Sequence, residues 1–211
     1  MHHHVNFVHC TKNGDHLVAS MARVSNPKGQ AKDFTRLIRY LIKHKHWSPF
    51  EMVNMCVEIN TTRSISSQIL RHRSFSFQEF SQRYADVNEL GNINIPNLRR
   101  QDKTNRQNSI DDLKSANIVI WHSMIAKHFD EAQALYQIML DGGVAKECAR
   151  DVLPLAAPTR LYMNGTIRSW IHYCDLRCDE STQLEHRLIA DQCKELVKEH
   201  FPSIYDAWTT N

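Results

Sequence analysis

Fourteen consecutive residues, Arg71-His72-Arg73-Ser74-Phe75-Ser76-Phe77-Gln78-Glu79-Phe80-Ser81-Gln82-Arg83-Tyr84, carry three arginines, one histidine and a single carboxylate. No hydrophobic core can absorb such a run, so the rest of the chain must fold in a way that leaves it at a surface. A guanidinium stays charged and presents a planar fork of donors suited to phosphate and carboxylate oxygens. Arginines set among small hydroxyls therefore read as a site for an anionic ligand. A solvated basic turn is the plainer alternative, because short motifs also arise by chance.

The flanking periodicities predict the scaffold. Within residues 31–46, Phe34, Leu37, Ile38, Leu41 and Ile42 fall at amphipathic-helix spacing. Residues 53–61 alternate Val53, Met55, Val57 and Ile59 against Asn54, Cys56, Glu58 and Asn60, the period of a half-buried strand. Arg63 to Leu70 has helical spacing, which puts the Arg-His-Arg run at a helix end and leaves residues 71–84 mostly as loop. The longest periodic segment runs from about Ser109 to Leu140. It carries one stripe of Leu113, Ala116, Ile120, Met124, Phe129, Ala132, Leu135, Tyr136 and Met139, and Gly142-Gly143 stops it. A further helix starts at Val144 and ends before Pro154. Residues 159–164 read as a short strand. Asn164-Gly165 would suit a hairpin, but the helical spacing of Ile167 to Leu176 favours strand, turn and helix. A last helix spans about Thr182 to Val197. The expected fold class is α+β: a helix-rich single domain over residues 1–211 with a small, mostly antiparallel sheet.

Bulk properties narrow the functional classes. A net charge of +3 creates no global field for nucleic acid or a membrane surface, so neither partner is expected and any anion site must be local. The six cysteines form no C-x-x-C pair and no secretory apolar segment is present, which predicts reduced thiols in a cytoplasmic protein. His2-His3-His4 reads as a tag remnant or native tail rather than a metal site, and no metal is expected, because paired Cys/His ligand spacing is absent. The six glycines form neither of the two usual nucleotide cradles, so a dinucleotide would have to be held by side chains.

Arg71-His72-Arg73, seven residues, Ser81 and then Arg83-Tyr84 resembles the signature of the flavin-dependent thymidylate synthases. Three other segments resemble the same family: His46-Trp47-Ser48-Pro49-Phe50-Glu51, Lys146 to Leu155, and Thr159 to Arg177. Pro49 is expected to hold Ser48 extended with its hydroxyl free for a ligand. Together the matches cover most of residues 46–84 and 144–187. The resemblance implies FAD as cofactor, NADPH and 5,10-methylenetetrahydrofolate as co-substrates, dUMP as substrate and a homotetramer with sites shared between subunits. It implies that Gln68, Arg71, Glu79, Ser81, Gln82, Arg83, Arg150 and Arg177 surround dUMP, with Arg150 at the phosphate. Ser48, Arg71, His72, Arg73, Glu79, Thr166, Ile167, Arg168 and His172 would contact FAD. Gln78, Thr166, His172 and Ser181 depart from residues common in the family while keeping hydrogen-bonding capacity.

Arg168 and His172 share a helix face, whereas Arg177 lies on the opposite one at about 100° per residue. The resemblance assigns the first two to flavin and makes Arg177 the catalytic group, stabilising the uracil ring deprotonated at N3 so that C5 gains electron density without a cysteine adduct. Cys148, between Lys146 and Arg150, is the one thiol placed to serve the covalent route instead. For Glu79 the structural alternative is a salt bridge to Arg73 or Arg83. Two other functions stay open: single-stranded nucleic-acid binding, with Phe75, Phe77, Phe80 and Tyr84 stacking on bases, and a same-fold enzyme making another C5-modified pyrimidine nucleotide.

Overall fold

The computed structural model describes residues 3–26, 33–114 and 116–210. His2, the first two residues of the expected 31–46 helix, and Ser115 within the long periodic segment lie outside them. In chain order the elements are β1 (His4–Cys10), α1 (Gly14–Ala22), α2 (Thr35–Lys43), β2 (Asn54–Thr62), α3 (Arg63–Ile69), β3 (Ser76–Glu79), β4 (Arg100–Gln101), β5 (Ser109–Ile110), α4 (Ile118–Asp141), α5 (Lys146–Ala149), β6 (Pro158–Thr166), α6 (Ile167–Arg177), α7 (Leu184–His200) and α8 (Pro202–Thr209). A four-stranded antiparallel sheet has the order β1-β2-β6-β3, and β4 pairs with β5 separately.

β2 shows why the sheet forms here. Its alternating residues Met55, Val57 and Ile59 are fully buried, as the sequence pattern predicts. They meet Trp170 and Tyr173 of α6, Phe50, and Phe201 at the start of α8 in one continuous core. Each such side chain contributes on the order of 2 kcal/mol by leaving water. The Trp170 indole N–H donates to Met55 O at 3.0 Å, which locks α6 onto β2 without leaving a buried donor unpaired.

Several expectations need correction. Residues 76–79 are not loop: they form β3 against β6, with Ser76 opposite Asn164 and Glu79 opposite Leu161. Asn164-Gly165 is not a turn, because β6 runs unbroken through both and passes directly into α6. Gly165 serves close approach instead, since a Cβ there would lie 2.4 Å from the Phe75 ring. Ser48 opens a 3₁₀ turn, Ser48–Met52, rather than an extended segment, and Pro49 sits in its first turn where no amide is needed. His4 begins β1 and the His3 ring bonds Thr61 Oγ1 at 2.9 Å, so these two histidines are part of the fold.

The single stripe expected over 109–140 is two faces. α4 begins only at Ile118, and it buries Phe129, Ala132 and Tyr136, while Ile120, Met124, Leu135 and Ile138 are exposed and fall within about 60° of one another on the other side. Among the described residues no helix is long and apolar enough to cross a membrane.

Candidate active site

The junction of β6 and α6 builds the first part of the site. Thr166 caps α6, its hydroxyl accepting from the Ser169 amide at 3.3 Å and donating to Glu51 Oε2 at 2.7 Å. The other Glu51 oxygen accepts from Arg168 Nη1 at 2.6 Å. Burial alone would raise the Glu51 carboxyl, yet the bonds from Thr166 and Arg168 and the Arg168 charge hold it below the usual carboxylate range. Glu51 therefore stays ionised and braces Arg168 at the mouth of a cleft of about 220 Å³ lined by Trp47, Ser74, Arg168, Ser169, Ile171, His172 and Asp175. Trp47 and Ile171 give the cleft two apolar surfaces for a flat ring, and its other lining residues are polar. Ser48 is exposed one residue away. Ile167 is buried in the core and its N–H donates to Val53 O at 2.8 Å, so neither its side chain nor its amide is turned to this cleft.

The far end of α6 carries the second part. Arg177 Nε donates to His72 Nε2 at 2.9 Å. The His72 ring packs edge-on against Tyr173, with ring centroids 4.9 Å apart. Gln68, at the end of α3, faces the buried His186 and donates to Gln183 Oε1 at 2.7 Å. Arg71 and Arg73 are exposed, and among the described residues no side-chain partner holds either one. His72 and Arg177 thus meet from two separate stretches of chain, with Gln68 linked to them through His186.

A third group gathers around Glu79 and Glu147. Glu79 pairs with Arg63 at 2.7 Å, not with Arg73 or Arg83, and also accepts from Ser66 and Thr159. This carboxylate belongs to the packing of β3 and β6 on α3, with one face toward a groove of about 580 Å³ shared with Gln78, Ser81 and Tyr84. Arg83 reaches Glu147 Oε2 through Nε at 2.9 Å and Nη2 at 2.8 Å, and Arg150 Nε donates to the Glu147 carbonyl at 3.2 Å. Gln82 is buried, and among the described residues its Nε2 has no partner. Among the described residues no hydrogen bond or ion pair joins this Arg83–Glu147–Arg150 group to Arg177.

Sequence reasoning assigned no role to Glu51, Ser74 or Asp175. Asp175 was within reach, three residues after His172 and seven after Arg168 on the same helical face. Ser74 was not, because only the turn after α3 carries it to α6, where its carbonyl accepts from Ser169 Oγ at 3.3 Å.

The molecule's fold is that of a pyrimidine nucleotide methylase. It superposes on a UMP/dUMP methylase, PolB from Streptomyces cacaoi bound with 5-Br dUMP, at a TM-score of 0.86 and 26% identity, covering 98% of this chain and 94% of that one. A family model described as thymidylate synthase complementing protein matches residues 6–203. A flavin-dependent thymidylate synthase of Synechocystis sp. is 48% identical over 89% of this chain and 86% of its own length. A probable flavin-dependent thymidylate synthase of Paramecium bursaria Chlorella virus 1 is 48% identical over 92% of this chain and 89% of its own. The chain belongs to the flavin-dependent thymidylate synthase family.

Proposed function

We propose that this protein methylates dUMP to dTMP reductively, taking the carbon from 5,10-methylenetetrahydrofolate and electrons from NADPH by way of FAD. One observation carries the reading: a single helix, α6, borders an arginine- and histidine-lined cleft and ends in Arg177, a guanidinium whose one side-chain partner among the described residues is a neutral ring. The cleft fits a flavin by its donor set, with Trp47 and Ile171 for ring contact and Arg168, His172 and Ser74 for polar groups. Bound there, the flavin supplies the hydride and the one-carbon relay.

Arg177 does the protein's part of the chemistry. Its positive charge at the uracil edge stabilises the ring ionised at N3 and enriches C5, the carbon that must become nucleophilic. Burial pushes the Cys193 thiol far up, a hydrogen bond with Cys178 together with burial does the same for Cys174, and none of the six cysteines lines the flavin cleft, which leaves the exposed Cys148 beside Arg150 as the one thiol open to the covalent route. Gln68 and Arg71 flank Arg177 at the substrate, and Arg71, His72 and Arg73 border the flavin. Thr166, used as helix cap and as donor to Glu51, and Glu79, held by Arg63, shape the site from behind.

Ser81, Gln82, Arg83 and Arg150 complete the dUMP site from a neighbouring subunit of a homotetramer. That no hydrogen bond or ion pair among the described residues joins the Arg83–Arg150 group to Arg177 within one chain supports this, as does the exposed apolar face of α4, where Met124 is 64% and Ile138 67% accessible. All six cysteines are free thiols, which agrees with a cytoplasmic enzyme. Absorption spectra of the purified protein test the whole reading. A flavin spectrum that NADPH bleaches, with dTMP formed on adding dUMP and the folate, is expected; colourless protein that takes up no FAD would end it.

Base stacking by the central motif finds no support. Phe75 is buried against Trp170 at 4.8 Å and Phe77 packs on the core, which leaves Tyr84 as the motif's one fully exposed ring. Product mass spectrometry separates dTMP from other C5-modified pyrimidines.

A further inference from the structure

Arg177 is held without a counter-ion. Its one side-chain partner is His72, and among the described residues no carboxylate pairs with it. A neutral imidazole accepts through one ring nitrogen only when the other carries the proton, so His72 is in its Nδ1–H form. Two buried groups back this ring. His186 lies with its ring 6.1 Å from that of His72, and its Nδ1 is 3.3 Å from Gln68 Oε1. Because an amide oxygen only accepts, Nδ1 carries the His186 proton and Nε2 is bare. That Nε2 and the Tyr173 hydroxyl are both buried with no partner among the described residues. Buried polar atoms left unpaired cost stability and call for a reason other than packing.

Charge explains the arrangement. Burial first, then the charges of Arg177 and His172, hold the His72 pKa at about 4. Burial, Arg177 and His72 hold that of His186 at about 3. Burial pushes the Tyr173 phenol far up, so it too is uncharged. The two rings that face His72, those of Tyr173 and His186, are therefore uncharged, and the charged group bonded to it is Arg177. A carboxylate in place of His72 would grip the guanidinium harder but would also neutralise it.

We infer that His72 is a positioning residue for Arg177, accepting its Nε–H so that the guanidinium is aimed while its full charge and both terminal nitrogens stay available to the ionised uracil edge. The inference rests on the proposed role of Arg177 in dUMP activation. Tyr173 and His186 keep the imidazole upright and dry.

His72→Phe preserves the ring packing on Tyr173 and removes the acceptor, whereas His72→Gln restores an acceptor without the ring. Turnover is compared at equal FAD occupancy, together with the ultraviolet spectrum of bound 5-bromo-dUMP, which reports ionisation at N3. His72→Phe should lose about 10- to 100-fold in kcat, the worth of one hydrogen bond to a charged group, and bind the probe in its neutral form. His72→Gln should stay within about 10-fold of wild type and keep the ionised spectrum. Wild-type turnover and spectrum in flavin-loaded His72→Phe would overturn the inference. So would a His72→Gln enzyme that behaves like the Phe variant, and this second comparison decides alone should His72→Phe load no flavin. Failure of the underlying reading looks different: there the unmutated protein takes up no FAD or makes no dTMP.

Discussion

At Arg177 the physical problem is to fix a cation without cancelling it, and the same problem recurs at Arg168 with the opposite solution. Arg168 is clamped by an ionised Glu51 that Thr166 also orients, which suits a residue serving a cofactor's polar groups but neutralises it as a source of charge. The buried histidine behind Arg177 has a measurable consequence. His186 titrates near 6.5 when the chain is unfolded and near 3 when folded, with Arg177, His72, Tyr173 and Gln68 as the groups facing it. Below the unfolded value the unfolded chain binds the proton first, so stability present above about pH 6.5 is lost as the pH falls toward 3. Melting curves at pH 7.5 and 5.5 should show a clear drop in midpoint, and that drop should shrink in His186→Leu. An equal drop in both would remove His186 as its source. The motif's arginines and their chemistry were readable from residue type alone. The partners were not: Glu79 binds Arg63 and Arg83 binds Glu147, contacts that the chain's path creates.

Helices announced themselves in the sequence and strands did so unevenly. α2, α3, α6 and α7 fall where their periodicity predicts, because helical hydrogen bonds are local and each helix shows one apolar face. β1 was invisible since only Val5 of its seven residues is buried, as befits an edge strand. β3 was read as loop because its pairing depends on β6, more than eighty residues further on. α1 and α8 are short and were likewise missed. The meeting of β3, β6 and α6 predicts a sharp steric effect at Gly165. Its backbone is not in the left-handed region, so the constraint is space: a side chain there collides with Phe75, which holds the turn carrying Ser74. Gly165→Val should cost about 1–3 kcal/mol in urea unfolding and lower FAD occupancy. Unchanged stability and flavin content would show that Phe75 has room to move.

For the molecule as a whole, the outer face of α4 is the feature a monomer does not explain. Ile120, Met124, Leu135 and Ile138 make an apolar strip on the side opposite the buried Phe129 and Tyr136, interrupted by the Lys127–Glu131 pair. A helix apolar on two sides is one that packs on two sides. Replacing Met124 and Leu135 by Glu should convert the proposed tetramer into smaller species by light scattering and abolish turnover, since in the proposed shared site the Arg83–Arg150 group would no longer reach a neighbour's Arg177. A fully active monomer would refute the shared site.

Much of this protein was decided in its sequence: the helical segments, the central strand β2, the surface position of the arginine motif and, through four short segments, its family. Those features are local, resting on residue chemistry or on repeats a few residues long. The tertiary structure alone decided which groups face one another, because contacts such as His72 with Arg177, or Glu51 with Thr166 and Arg168, span about a hundred residues and exist only once β6 and α6 are packed on β2.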